Sequence, residues 1–184
     1  MDLVYLPDSA PGPDAATLAP SPRSLAGLRI AVLDNGKPNA DVVMGAAAEA
    51  LARRTGATVT LVTKKGPRGA SANAAVPCDP DIFAKVVDAA DLVITGAADC
   101  GSCTAYSVTD AIEFEKVGRP AVVATTTHFE TVARTLSSSF GLPGTRLLVL
   151  PHPIGGTDQP TLERWAEGAT DQLIALFTGS ANRS

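Results

Sequence analysis

Two cysteines three positions apart are the residues of this chain best suited to chemistry. Cys100 and Cys103 lie in the stretch Asp99-Cys100-Gly101-Ser102-Cys103-Thr104, after an apolar run that predicts a buried strand and before a helical pattern. Such a pair can form a reversible disulfide, supply a nucleophile with an assisting thiol, hold a metal, or simply pack beneath a turn. The free N–H groups and positive end of the helix favour a thiolate near neutral pH. We therefore expect Cys100, the more exposed residue, to be the nucleophile and Cys103 the resolving or assisting thiol.

Further polar residues follow the other predicted strands. Asp34 ends the first, His128 follows the fourth and His152 follows the fifth. Because the carboxyl ends of parallel strands meet at one edge of a sheet, these side chains should share one rim with the cysteines. We expect His152 to act as the general acid/base and Asp34 to orient it. The predicted substrate-binding residues lie on the same rim: Asn35, Lys37, Asn39, Asp99, Ser102, Thr126, His128, Gly155 and Gly156.

The elements that position these residues alternate along the chain. Apolar runs at 28–33, 58–63, 91–96, 120–125 and 146–150 predict five strands, and helical patterns follow each of them. This alternation predicts an α/β three-layer sandwich around a five-stranded parallel sheet, with the flavodoxin-like order 2-1-3-4-5. We expect residues 1–26 to be a proline-rich N-terminal arm, extended or mobile, that covers the site or a neighbouring subunit. Residues 27–178 should form a single catalytic domain and residues 179–184 a flexible tail.

Composition limits the class of protein. A net charge of -4 and a pI near 5.1 argue against a nucleic-acid partner, and no apolar run approaches the length of a membrane span. The N-terminus lacks a signal-like pattern, so we expect a cytoplasmic protein without a membrane partner. We expect Cys78 to be incidental to the chemistry. The cations of the loop 64–68 are expected to be solvated, with contact to a carboxylate or phosphate as the alternative.

Three ordered motifs carry a family resemblance. They are Leu33-Asp34-Asn35-Gly36-Lys37-Pro38-Asn39-Ala40, the segment from Gly96 to Thr104, and Pro151-His152-Pro153-Ile154-Gly155-Gly156. Over about 28–156 the chain resembles the UGSC family, named for a selenocysteine-or-cysteine, Gly, Ser, Cys motif. That resemblance implies thiol-redox chemistry, and the family's selenocysteine variants place selenium at the position of Cys100. The segment 100–125 is also distantly similar to the selenoprotein subunits of glycine and proline reductases.

Three functions remain open at this stage. The first is a thiol-redox enzyme in which Cys100 attacks a small electrophilic metabolite and Cys103 resolves the adduct as a disulfide. The second is a non-redox hydrolase, lyase or cyclase with the same nucleophile and with His152 or His128 as acid/base. The third is a zinc-binding module that uses both cysteines and both histidines. We expect no cofactor, zinc only in the third case, an external thiol or reductase for a redox cycle, and a small-molecule substrate. A reductase and a second copy of the chain are the candidate protein partners.

Overall fold

Five parallel strands form the centre of the structure, a computed structural model that describes residues 16–65 and 73–180. The strands are β1 (Arg29–Asp34), β2 (Thr58–Thr63), β3 (Leu92–Ala98), β4 (Ala121–Thr126) and β5 (Arg146–Leu150). Their order is β2-β1-β3-β4-β5, and every neighbouring pair is parallel. This confirms the predicted fold. The order reverses between β1 and β3, so a crevice is expected outside the carboxyl ends of these strands.

Helices cover both faces of the sheet. They are α1 (Ala40–Thr55), α2 (Pro80–Ala89), α3 (Gly101–Lys116), α4 (Glu130–Ser139), α5 (Gln159–Gly168) and α6 (Thr170–Thr178). α1, α5 and α6 share one apolar core with the sheet, and α2, α3 and α4 share the other. The single last helix that the sequence predicted is divided in two. Gly168 weakens the helix there, and the buried Thr170 hydroxyl bonds back to the Ala166 carbonyl at 3.2 Å.

The described part of the N-terminal arm packs against the domain. Residues 16–26 contain no helix or strand, yet Ala19 is buried. Its N–H donates to Glu115 Oε2 at 2.6 Å, and its carbonyl accepts from Arg146 Nη2 at 2.8 Å. Glu115 and Arg146 form a buried ion pair with each other. The arm therefore supplies polar partners to a pair of buried charges. The domain boundaries stay predictions, because residues 1–15 and 181–184 lie outside the described part.

Lys64 is not solvated, contrary to the expectation for the loop 64–68. Its side chain is fully buried, and its Nζ donates to Asp110 Oδ2 at 2.6 Å. The other carboxylate oxygen of Asp110 accepts the N–H of Cys78 at 2.8 Å. A buried ammonium needs a charged partner, and Asp110 supplies it. Burial raises the pKa of Asp110. Lys65 is exposed, and the rest of that loop lies outside the described residues.

Candidate functional site

The two motif cysteines lie at the start of α3. Cys100 is the N-cap of the helix, and its Sγ accepts the N–H of Cys103 at 3.3 Å. In this structure the two sulfurs are joined by a disulfide. Cys100 is partly accessible, whereas Cys103 is only 1% exposed. The helix begins at Gly101, because the Cys100 side chain caps it and the Thr104 hydroxyl bonds the Cys100 carbonyl at 2.6 Å.

His152 lies beside a carboxylate, and that carboxylate belongs to Asp99. The Nδ1 atom of His152 is 2.7 Å from Asp99 Oδ1 and 3.2 Å from the hydroxyl of Thr126. The Thr126 contact is a hydrogen bond, whereas Asp99 Oδ1 approaches Nδ1 without hydrogen-bond geometry, and both contacts are made at Nδ1 and not at Nε2. The ring of His128 packs 4.3 Å from that of His152, centroid to centroid, and Phe129 packs 5.9 Å away. Asp99 and Thr126, which we predicted to bind substrate, thus contact the histidine.

The loop that carries His152 is held from two sides. Asp99 Oδ2 accepts the N–H groups of Ile154 and Gly155, each at 3.2 Å. Asn39 Nδ2 donates to the carbonyls of Ile154 at 3.0 Å and Thr157 at 2.8 Å. These four bonds connect the ends of β1 and β3 to the loop after β5. The Gly155 N–H, expected to approach a substrate oxygen, is therefore engaged within the protein.

The loop after β1 is also bonded internally. Asp34 is buried, and its Oδ1 accepts the N–H of Gly36 at 2.9 Å. Asn35 is buried as well, with its Nδ2 donating to the Ala97 carbonyl at 2.9 Å and its Oδ1 accepting from the Lys37 N–H at 3.2 Å. Asn39 is the N-cap residue of α1, in a left-handed conformation and without a side-chain cap bond. Its amide instead reaches the loop that carries His152.

Three of the predicted substrate-binding residues are exposed at this rim. They are Ser102, His128 and Gly156, and the Ser102 hydroxyl lies 3.7 Å from Cys100 Sγ. Sequence reasoning missed Phe129, although its place directly after His128 was a usable signal. It also missed that Asp99 is the partner of His152. The short separation of Asp99 from Cys100 placed it on the rim, but nothing in the sequence indicated the direction of its side chain.

The cysteines and histidines do not form a metal site in this arrangement. Within residues 16–65 and 73–180, no group of three or more His, Cys, Asp or Glu residues is placed to hold a metal ion. Both sulfurs of the motif are committed to the disulfide. The geometry thus gives no support to the zinc-binding alternative.

Comparison with solved structures finds the same fold at low identity. An NAD(P)H:quinone oxidoreductase from Methanothermobacter marburgensis has a TM-score of 0.47 and 16% identity, covering 80% of this chain and 100% of its own. A flavodoxin from Streptococcus pneumoniae TIGR4 has a TM-score of 0.45 and 13% identity, with 80% and 97% covered. A diflavin flavoprotein A3 from Nostoc sp. has a TM-score of 0.42 and 13% identity, with 88% and 99% covered. At this identity the similarity concerns the fold.

The expectation that no cofactor is needed requires correction. The solved structures that this chain resembles include proteins named as a flavodoxin and a diflavin flavoprotein, so the expectation of no cofactor is not supported. The described residues do not fit a flavin phosphate at the loop after β1. The N–H groups of Gly36 and Lys37 are bonded to Asp34 and Asn35, and Asp34 adds a buried carboxyl group. We derive no step through a flavin.

No helix in the described ranges is both long and apolar enough to cross a bilayer.

The remaining comparisons concern the sequence. No curated protein matches the sequence. The model of the UGSC family matches residues 4–179, which extends beyond the resemblance seen over 28–156 and includes most of the N-terminal arm. The chain belongs to the UGSC family.

Proposed function

We propose that this protein is a thiol-dependent oxidoreductase acting on a small electrophilic metabolite, with Cys100 as nucleophile and Cys103 as resolving thiol. The observation that carries the proposal is the disulfide between these residues at the start of α3. With this disulfide in place Cys100 is still the N-cap of α3, which supports a pair that can close and open at the start of the helix. The Cys103 N–H that points to Cys100 Sγ would stabilise a thiolate there once the disulfide is reduced.

The proposed cycle consumes a dithiol and reduces the substrate. The Cys100 thiolate attacks the electrophilic atom, and the bond from that atom to its leaving group breaks with the electron pair on the leaving group, which takes a proton. The Cys103 thiolate then attacks Cys100 Sγ. The bond between Cys100 and the substrate breaks, the electron pair goes to the substrate fragment, and that fragment takes a second proton. The substrate gains two electrons, and an external dithiol later returns the disulfide to the thiols.

His152 is the residue best placed to move these protons. Asp99 lies against its Nδ1 atom, so Nε2 is left to accept or donate. Asp99 also holds the loop of His152 through two N–H groups, and its own neighbour in the chain is Cys100. Asp99 thus contacts the histidine and directly precedes the nucleophile in the chain. In this proposal Asp99 orients His152, the role first expected of Asp34.

The proposal is tested by trapping the first adduct. We would replace Cys78 by Ala to remove the third thiol, then compare Cys103→Ser and Cys100→Ser after incubation with candidate metabolites. Intact mass should show a stable adduct on the Cys103→Ser protein and none on the Cys100→Ser protein. The parent protein should release product and gain a disulfide. An adduct that forms equally on the Cys100→Ser protein would refute Cys100 as nucleophile.

A non-redox cycle is the second candidate, and the Asp99–His152 pair favours it. Such a pair can serve a hydrolase, lyase or cyclase in which His152 returns the proton and no disulfide forms. The two functions differ in what Cys103 does. If the Cys103→Ser protein turns over many substrate molecules without a reductant, the cycle is non-redox. If it stops after a single adduct, the cycle is redox.

A further inference from the structure

The two sulfurs of the disulfide differ in their access to an external thiol. Cys103 is 1% exposed and faces the core, whereas Cys100 is partly accessible at the rim. The residues between them, Gly101 and Ser102, are both exposed. Thiol–disulfide exchange requires direct contact between the attacking thiolate and one sulfur, so access decides which sulfur reacts. A reductant that approaches from solvent on this side meets Gly101, Ser102 and Cys100 before it could reach Cys103.

The fold itself does not require a glycine at position 101. Its backbone is not in the left-handed region, and it is the first residue of a helix of 16 residues. Apart from its two chain neighbours and the backbone of its own helix, a Cβ atom built there would meet no atom within 4 Å. Glycine is also among the least favourable residues in a helix. At Gly96, by contrast, a Cβ would lie 2.7 Å from the Ala124 carbonyl oxygen, so packing explains that glycine.

A glycine that packing and backbone do not explain points to close approach from outside. We infer that Gly101 keeps open the path by which a reducing thiol reaches Cys100 Sγ, so that the mixed disulfide forms on Cys100 and not on Cys103. This inference rests on the proposed function, because only a redox cycle needs the disulfide to be reduced. It adds to that function the sulfur that the reductant attacks, Cys100 Sγ, and the residue that controls access to it, Gly101.

The step is an ordinary exchange. The external thiolate attacks Cys100 Sγ, the bond to Cys103 breaks, and its electron pair goes to Cys103 Sγ, which takes a proton. A second thiol then attacks the sulfur of the reductant in the mixed disulfide and releases the Cys100 thiolate. Two thiols of the reductant become one disulfide, and the protein regains both of its thiols.

The test compares a bulky and a small reductant on the oxidised protein. In the Cys78→Ala background we would measure reduction of the disulfide by glutathione and by hydrosulfide, using acid quench, alkylation and intact mass. Gly101→Ala and Gly101→Leu should slow the glutathione reaction progressively, the latter by at least about tenfold, which corresponds to about 1.4 kcal/mol of activation free energy. Both should change the hydrosulfide reaction by less than about twofold. Gly45→Ala is the matched control, because Gly45 also lies in a helix and a Cβ built there meets no atom within 4 Å beyond its chain neighbours and its own helix backbone.

The outcomes separate this inference from the proposed function. The Gly45→Ala protein should match the parent protein with both reductants, and peptide mass should place the glutathione on Cys100. An unchanged glutathione rate in Gly101→Ala and Gly101→Leu, or glutathione on Cys103, would overturn the inference alone. If the parent protein forms no disulfide on oxidation, the proposed function fails and this inference falls with it. If Gly101→Leu folds poorly, Gly101→Ala decides the question. The inference then stands if the ratio of its glutathione rate to its hydrosulfide rate is lower than that of the parent protein, and fails if the ratio is unchanged.

Discussion

Cys78 should be nearly unreactive, and this prediction distinguishes it from the motif cysteines. Burial, and next the charge of Asp110, raise its pKa to about 12, while Lys64 lowers it. At pH 8 a thiol with that pKa is ionised to about one part in 10⁴, whereas an unperturbed thiol with a pKa near 8.5 is ionised to roughly one part in four. Since only the thiolate reacts, folded Cys78 should be alkylated on the order of 10³-fold more slowly than unfolded Cys78.

The assay uses a variant in which Cys78 is the sole thiol. With Cys100 and Cys103 replaced by Ser, iodoacetamide labelling at pH 8 is followed by intact mass in buffer and in denaturing urea, so each sample is its own control. Asp110→Asn should accelerate the folded reaction, because the carboxylate that raises the pKa of Cys78 is lost. Labelling of the folded protein within about tenfold of the unfolded rate would refute the reasoning.

The same shift predicts the sign of a pH effect on stability. The folded pKa of Cys78 lies above its unfolded value, so the unfolded chain loses its proton first as the pH rises. The contribution of Cys78 to stability is therefore fully present below about pH 8.5 and is lost progressively towards pH 12. Urea unfolding of the parent and Cys78→Ala proteins across this range measures it. A difference between the two that does not change with pH would contradict the assignment.

Substitutions at three further sites, two of them with a matched comparison variant, test the positioning of the site and of the arm. His152→Ala should lower turnover of the metabolite identified by the trapping experiment at least about 100-fold, with little change in melting temperature. The reason is that the substitution removes the general acid/base. Asn39→Ala should cost about 1 kcal/mol more stability in urea unfolding than Asn39→Gly, since both lose the same bonds but only Gly adopts the left-handed backbone freely. Glu115→Gln should cost about 3–5 kcal/mol by the same assay because Arg146 keeps a buried charge, whereas Glu130→Gln, from an exposed pair, should cost less than about 0.5 kcal/mol.

Each of these expectations has a result that would contradict it. If His152→Ala unfolds the protein while the folded fraction keeps its activity, the histidine is structural and His128 or Asp34 becomes the candidate for proton transfer. Equal losses for Asn39→Ala and Asn39→Gly would mean that the backbone conformation at this position costs nothing. A loss for Glu115→Gln as small as that for Glu130→Gln would show that the buried pair does not hold the arm.

The rim of the sheet was predictable from the sequence, whereas the contacts across it were not. Short apolar runs and the polar residues after them place Cys100 and His152 at the same edge, because parallel strands leave no other arrangement. The pairing of Lys64 with Asp110 depends on a partner 46 residues away. Nothing local distinguishes such a lysine from a solvated one. Similarly, Asp99 was expected to bind substrate, and its contact with His152 was missed. The direction of its side chain is decided by a loop 55 residues further along the chain.

The most direct test of the redox cycle is a titration of the cysteine pair. The parent protein would be equilibrated in a series of oxidised and reduced dithiothreitol mixtures, quenched with an alkylating reagent, and weighed intact. We predict a single two-electron transition in which Cys100 and Cys103 lose their labels together, while Cys78→Ala leaves the transition unchanged and Cys100→Ser or Cys103→Ser abolishes it. If both motif cysteines remain labelled in the most oxidising mixture, the pair does not form a disulfide in the folded protein and the redox proposal is contradicted.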